Sequence, residues 1–219
     1  MTINTNVERL LDRMKAEYEP EIISVKPEDY ATEGFCYRNA AEKIRRDGGK
    51  ICYGRIVWED EISCYGEHHA VWEDENGNLI DITSWKDGTN AVMFVPDNSE
   101  PYVGKLIDHI IVNTTNSSLV DDFIMLSSAI AKLRSLGKRV DEIYLSIPEN
   151  VLQLISSYET SKLYILMFHF RGGKSNNPCF CKSGKSYRKC HGKNLRQLID
   201  KNYEFLKRQE IEQHHHLPL

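Results

Sequence analysis

Between Glu33 and Ser84 the chain places a cysteine at the start of a helical pattern, then a histidine and an aspartate in two strand patterns, and this order constrains the fold most. Gly34-Phe35-Cys36-Tyr37 reads as a loop entering a helix. Ala40, Ala41 and Ile44 then recur at helical spacing, and Gly48-Gly49 stops the helix. Lys50–Trp58 alternates as a strand, and Ile62–Tyr65 reads as a short strand or a loop. Glu67–Glu73 and Leu79–Ser84 read as a hairpin around Asp74-Glu75-Asn76-Gly77-Asn78. Its turn has two readings. A two-residue Asn76-Gly77 turn sets Asp81 opposite Trp72, on the face of His68. A three-residue loop with Gly77 left-handed sets Asp81 opposite Val71, on the face of His69.

The chemistry that this order can support is thiol chemistry. Unpaired N–H groups at a helix start favour a thiolate at Cys36. A histidine within reach takes the thiol proton, and an aspartate behind it fixes the imidazole. Cys36, His69 and Asp81 fill these roles if the helix packs on the hairpin, with His68 as the rival base. Glu67 is a candidate supporting partner. No glutamine lies shortly before Cys36, so the Cys36 backbone N–H and Asn39 are the candidate oxyanion donors. Cys52 and Cys64 read as packing residues. Trp58, Trp72 and Trp85 read as packing, or as the wall of a substrate groove.

Gly34-x-Cys36, Gly49, Tyr53-Gly54, His69-Ala70-Val71-Trp72 and Leu79-Ile80-Asp81-Ile82-Thr83 resemble the core of the transglutaminase-like branch of the papain-like superfamily, over residues 33–84. The resemblance implies an α+β fold with Cys36 as nucleophile, His69 as base and Asp81 as orienter. Members of that superfamily include peptidases, amidases, transamidases and non-catalytic descendants.

A second cluster lies near the C-terminus. Cys179-Phe180-Cys181 is followed eight residues later by Cys190-His191, which supplies three thiolates and one imidazole for a tetrahedral zinc. With four protein donors no position is left for water, so a zinc held here is structural. Pro178 to Gly192 resembles the SEC-C motif, a small zinc module first named at the C-terminus of a protein-translocation motor. Arg171, Lys174, Lys182, Lys185, Arg188, Lys189 and Lys193 surround it with no acidic residue between, which leaves −11 on the remainder of a chain whose formal net charge is −4. Lys182, Lys185, Arg188 and Lys189 are therefore candidate contacts to nucleic acid, a ribosome or an acidic protein surface. The alternative is that they solvate the loop and offset thiolate charge.

The rest of the chain frames these sites. The 219 residues are 41% hydrophobic, enough for a large domain with an appendage. No apolar run reaches membrane-spanning length, and no signal peptide is legible at the N-terminus. Scattered and clustered cysteines, without a disulfide framework, fit a cytoplasmic protein. Val7–Tyr18 reads as an amphipathic helix stopped by Pro20, and Ile22–Val25 as a short strand. Ala91–Val95 and Lys105–Val112 read as strands. Leu119 to Gly137 is helical, and Val140–Ser146 has no settled type. A helix starts at Pro148, and Ser161–Phe170 continues in undecided form. Asn194–Gln213 is a last amphipathic helix, and His214–Leu219 reads as a disordered tail.

Together these readings give a papain-like α+β domain over 1–112, a helical extension over 113–170, and a zinc module with its terminal helix over 171–219. The expected activity is acyl transfer: an amide, peptide or isopeptide bond opened at Cys36, with a protein or peptide substrate and a zinc module that docks a partner. The alternatives are a non-catalytic zinc-containing binding or adaptor protein, and a nucleic-acid-associated or ribosome-associated factor. The sequence leaves turnover itself open.

Overall fold

The computed structural model describes residues 3–140 and 144–215. The chain divides into two compact units at Thr114/Thr115.

The first unit is a small β-barrel with two helices. Helix α1 (Thr5–Met14) starts where the Asn4 carboxamide accepts the backbone N–H groups of Asn6 and Val7, and it ends at Lys15 in the left-handed conformation, before the proline expected to stop it. Strand β1 (Glu21–Val25) follows, then helix α2 (Cys36–Asp47). The long strands β2 (Lys50–Glu59) and β3 (Ser63–Glu73) pair antiparallel along their whole length. Gly49 makes the approach to β2 possible: its φ is +77°, and a Cβ there would lie 2.4 Å from the Glu73 carbonyl and 2.6 Å from the Trp72 indole nitrogen. Strands β4 (Leu79–Asp81), β5 (Ala91–Pro96) and β6 (Ile110–Asn113) complete the sheet. Its order β2-β5-β1-β4-β3 closes on itself through the β2–β3 pairing, and β6 joins the other edge of β3.

On that other edge β6 pairs with Ser63–Gly66 and β4 with Trp72–Glu73, so Glu67–Val71 has no strand partner there among the described residues. Ile23, Val25, Cys52, Ile56, Val71, Val92 and Phe94 fill one face of the sheet. Helix α1 contributes Val7 and Leu10 to a second cluster with Val57, Cys64, Val95 and Val112. Helix α2 contributes Cys36 and Ala40 to a third, with Ala70. Two expected strands are shorter than the pattern implied. Lys105–His109 is irregular, and the strand begins at Ile110. The hairpin's second arm stops at Asp81, whose carboxylate accepts the backbone N–H of Thr83 and turns the chain.

The second unit is built on helices α3 (Ser118–Arg134), α4 (Glu149–Phe170) and α5 (Leu195–His215). The undecided stretch Ser161–Phe170 is the second half of α4. Strands β7 (Lys138–Arg139) and β8 (Leu145–Ser146) pair between α3 and α4; residues 141–143 of the undecided stretch Val140–Ser146, and His216–Leu219 of the tail, lie outside the described residues. The cysteine-rich loop shares one core with the helices: Cys179 and Tyr187 are buried among Leu119, Leu126, Ile130, Val151, Ile155, Ile165 and Ile199. The Tyr187 hydroxyl donates to Asp122 of α3 at 2.9 Å. No helix is long and apolar enough to cross a membrane, among the described residues.

Candidate functional site

The hairpin between β3 and β4 decides which histidine meets Asp81. Gly77 N–H donates to the Asp74 carbonyl and Asp74 N–H to the Asn78 carbonyl, with Gly77 at φ +84°. This is the three-residue loop with a left-handed glycine, and the Asp74 carboxylate braces it by accepting the N–H groups of Asn76 and Asn78. Trp72 therefore faces Ile80 and Glu73 faces Leu79. One step further, Asp81 falls opposite Val71, on the face of His69.

Three predicted residues come together in the first unit. His69 Nε2 lies 3.2 Å from Asp81 Oδ1. Its N–H points off the line to that carboxylate, so charge attraction rather than an aligned hydrogen bond carries the contact. The Cys36 side chain, from the first residue of α2, lies close enough to the same imidazole to favour its protonated form. Burial acts to lower the His69 pKa, but the Asp81 carboxylate and Cys36 outweigh it and hold the ring up at about 10. The Asp81 carboxylate is fixed at both oxygens: Oδ1 accepts the Thr83 N–H at 2.9 Å, and Oδ2 accepts the Trp85 indole N–H at 3.0 Å. An imidazole with Nε2 turned to a carboxylate has Nδ1 left to exchange a proton with a thiol.

His68, one residue away, is placed differently. Its Nε2 faces the Glu100 carbonyl at 2.8 Å, so Nε2 carries the hydrogen and Nδ1 accepts from the Tyr37 hydroxyl at 2.8 Å. Burial pushes its pKa down, against the pull of the Glu100 carbonyl. Both His68 nitrogens are thus occupied by partners other than Cys36.

The other supporting candidates are braces. Asn39 donates to the Thr32 carbonyl at 2.8 Å and to the Thr83 hydroxyl at 3.1 Å, and its oxygen accepts the Thr32 N–H. Both amide hydrogens are committed, which leaves the first-turn N–H groups of α2 as the oxyanion donors on hand. Glu67 accepts the Trp58 indole N–H at 3.0 Å; Trp58 meets Trp85 edge-on, and Trp85 holds Asp81. Sequence reasoning missed Trp85 as the partner of Asp81 and Tyr37 as the partner of His68. A tryptophan four residues after the aspartate was the available signal.

The second site lies in the second unit. The ligand atoms of Cys179, Cys181, Cys190 and His191 lie within 4.8 Å of one another. Cys179 Sγ is 3.1 Å from His191 Nδ1, and Cys181 Sγ is 3.5 Å from Cys190 Sγ. Tetrahedral zinc with thiolate bonds of about 2.3 Å needs donor atoms roughly 3.5–3.8 Å apart, so the donors fit such an ion after small adjustments. Lys182, at φ +59°, returns its N–H to the Cys179 carbonyl and closes the Cys-x-Cys turn. Bonding from Ser183 draws the Cys181 thiol down to about 7. Phe180 lies 4.5 Å from the His191 ring and fixes it against α4 through Tyr164 and Phe168. No family model matches the chain, and no curated protein or solved structure matches it.

Proposed function

We propose that the protein is a thiol-dependent acyl-transfer enzyme of papain-like or transglutaminase-like type, acting on amide, peptide or isopeptide bonds, with a structural zinc module of SEC-C type that docks it to a partner. The observation that carries this reading is the convergence of Cys36, His69 and Asp81. The Cys36 sulfur attacks the carbonyl carbon while His69 holds the proton already taken from the thiol. The oxyanion is held by N–H groups at the start of α2. The imidazolium then protonates the departing amine as the C–N bond breaks, leaving a thioester on Cys36. Water or a second amine attacks the thioester, gives up its proton to His69, and frees the thiol. Asp81 stabilises imidazolium throughout, and Trp85 and Thr83 hold Asp81.

The zinc module would be the handle. Its seven basic side chains between Arg171 and Lys193 are all exposed. Residues 115–219 carry 16 cationic and 10 acidic side chains, a formal +6, against −10 for residues 1–114. An acidic protein surface, a ribosome or nucleic acid fits that charge at Lys182, Lys185, Arg188 and Lys189.

Alkylation tests the activity. Cys36 is expected to react with iodoacetamide at about pH 6, where ordinary thiols are protonated, and His69→Ala is expected to abolish this. Reactivity like that of an ordinary thiol would sink the enzyme reading. A second reading, a non-catalytic adaptor on the same scaffold, is favoured by burial: Cys36, His69 and Asp81 are 8, 4 and 0% exposed.

A further inference from the structure

That burial raises the question of how any substrate reaches the thiol. The segment between β5 and β6, Asp97–His109, contains neither helix nor strand. Four of its holds fall on residues that flank the thiol site. The Glu100 carbonyl accepts from His68 at 2.8 Å, and the Glu100 carboxylate pairs with Arg55 at 2.8 Å. The Asp108 carbonyl accepts from Arg55 at 3.0 Å. The Tyr102 ring stacks on Tyr37 with centroids 3.8 Å apart and planes within 3°. Tyr37 follows Cys36 on α2, and its hydroxyl is the donor to His68. One neutral imidazole thus ties the helix that carries the thiol to the irregular segment. Meanwhile the segment's tip presents Val103 and Leu106 to solvent, 74% and 49% exposed.

We infer that Asp97–His109 is a gate beside the thiol and that His68 is its latch, a positioning residue with no part in bond making. The inference rests on the thiol reading above and explains how a buried Cys36 can serve a macromolecular substrate. The holds on the gate suit repeated opening. They include a ring stack, one hydrogen bond from a neutral imidazole, one from Arg55 to the Asp108 carbonyl, and an ion pair whose Glu100 side chain is 52% exposed. By contrast, the His69–Asp81 pair beneath is enclosed and stays assembled. The apolar tip gives an approaching chain something to grip while the gate is open.

The test uses the full, zinc-loaded chain, with modification at Cys36 read by peptide mass spectrometry. Iodoacetamide is compared with a bulky maleimide dye. His68→Phe keeps a ring and removes both the donor to the Glu100 carbonyl and the acceptor for Tyr37; Tyr102→Ala removes the stack. Each is expected to raise the bulky-reagent rate by about tenfold or more while the iodoacetamide rate moves by less than about threefold. Hydrogen exchange across residues 98–108 should quicken in both variants, with the amides of β2 and β3 unchanged. An unaltered size ratio and unaltered exchange in both variants would overturn the gate and make the segment a fixed wall. His69→Ala in the same series separates the two ideas: unchanged iodoacetamide reactivity there defeats thiol activation, while the size ratio still judges the gate.

Discussion

The two cysteine–histidine sites are opposite in construction. In the first unit, Cys36, His69 and Asp81 come from a helix and two strands, and all are buried. His69 is paired with Asp81, and Cys36 lies close enough to the same ring to bias its charge. In the second unit, four donors fall within the 13 residues from Cys179 to His191, and Cys181 and His191 are exposed. Their atoms converge on a point, which suits holding a cation. A proton relay needs a dry surround, so that pairing and not water sets each charge. A closed four-donor metal site needs only the four donors, because the ion supplies the binding energy. The same two residue types therefore lie beside a buried carboxylate in one unit and in a surface cluster able to hold a metal in the other.

Removing the metal tests this contrast most severely. Structural zinc in small modules contributes about 10–16 kcal/mol at neutral pH, so a strong chelator or Cys190→Ser is expected to release the Cys179–His191 loop from α3 and α4. The Cys36 alkylation rate should stay where it was. Metal analysis with near-ultraviolet circular dichroism checks the first effect; coupled loss of Cys36 reactivity would break the separation.

Asp81→Ala should come next in size. It leaves a buried imidazole, an indole N–H and a backbone N–H without their acceptor, a loss of about 3–5 kcal/mol, read as a lowered urea midpoint for the first unit with zinc content unchanged. Trp85→Phe should cost less, about 1–3 kcal/mol, because it unpairs one carboxylate oxygen.

The two adjacent histidines should then titrate on opposite sides of the ordinary range. His69, raised to about 10, is charged at neutral pH; its contribution to stability is fully present below the unfolded value near 6.5 and is lost as pH rises through about 10. His68, lowered by burial, contributes above its unfolded value and loses that contribution as pH falls through its folded one. Imidazole nitrogen shifts measured by NMR would resolve both, and a shared midpoint near 6.5 would remove the distinction between relay and latch. Gly77→Ala should be the smallest effect, about 1–2 kcal/mol from forcing an alanine to a φ of +84°.

The metal cluster was legible because its four donors and the turn that joins them are local, so spacing alone brings them together. Cys36, His69 and Asp81 were legible as residues but not as a site. Asp81 could meet either histidine until the loop at Glu75–Gly77 was known, because strand patterning alternates faces and both alternatives satisfy the alternation. The closed barrel was not legible at all. The parallel pairing of β1 with β4, and the antiparallel pairings of β5 with both β1 and β2, join segments far apart in the chain and leave no periodic trace. The shortened β6 goes with a contact that pattern reading misses: buried Arg55 donates to the carbonyl of Asp108, two residues before the strand begins. The papain-like resemblance predicted a mixed α+β fold; the structure has that composition, with five α-helices and a small barrel among the described residues.

The hairpin loop acts as a parity setting for the first unit. Its length fixes whether the strand that follows is in or out of phase with the pair of histidines, and phase has two values. Deleting one residue from Glu75–Gly77, with the rest of the strand retained, moves the carboxylate from His69 to the side of His68. His69 would lose its counter-charge, and His68 would acquire one. One codon at an exposed turn is thus enough to exchange the electrostatic identities of two neighbouring side chains, with every chemically active residue still present.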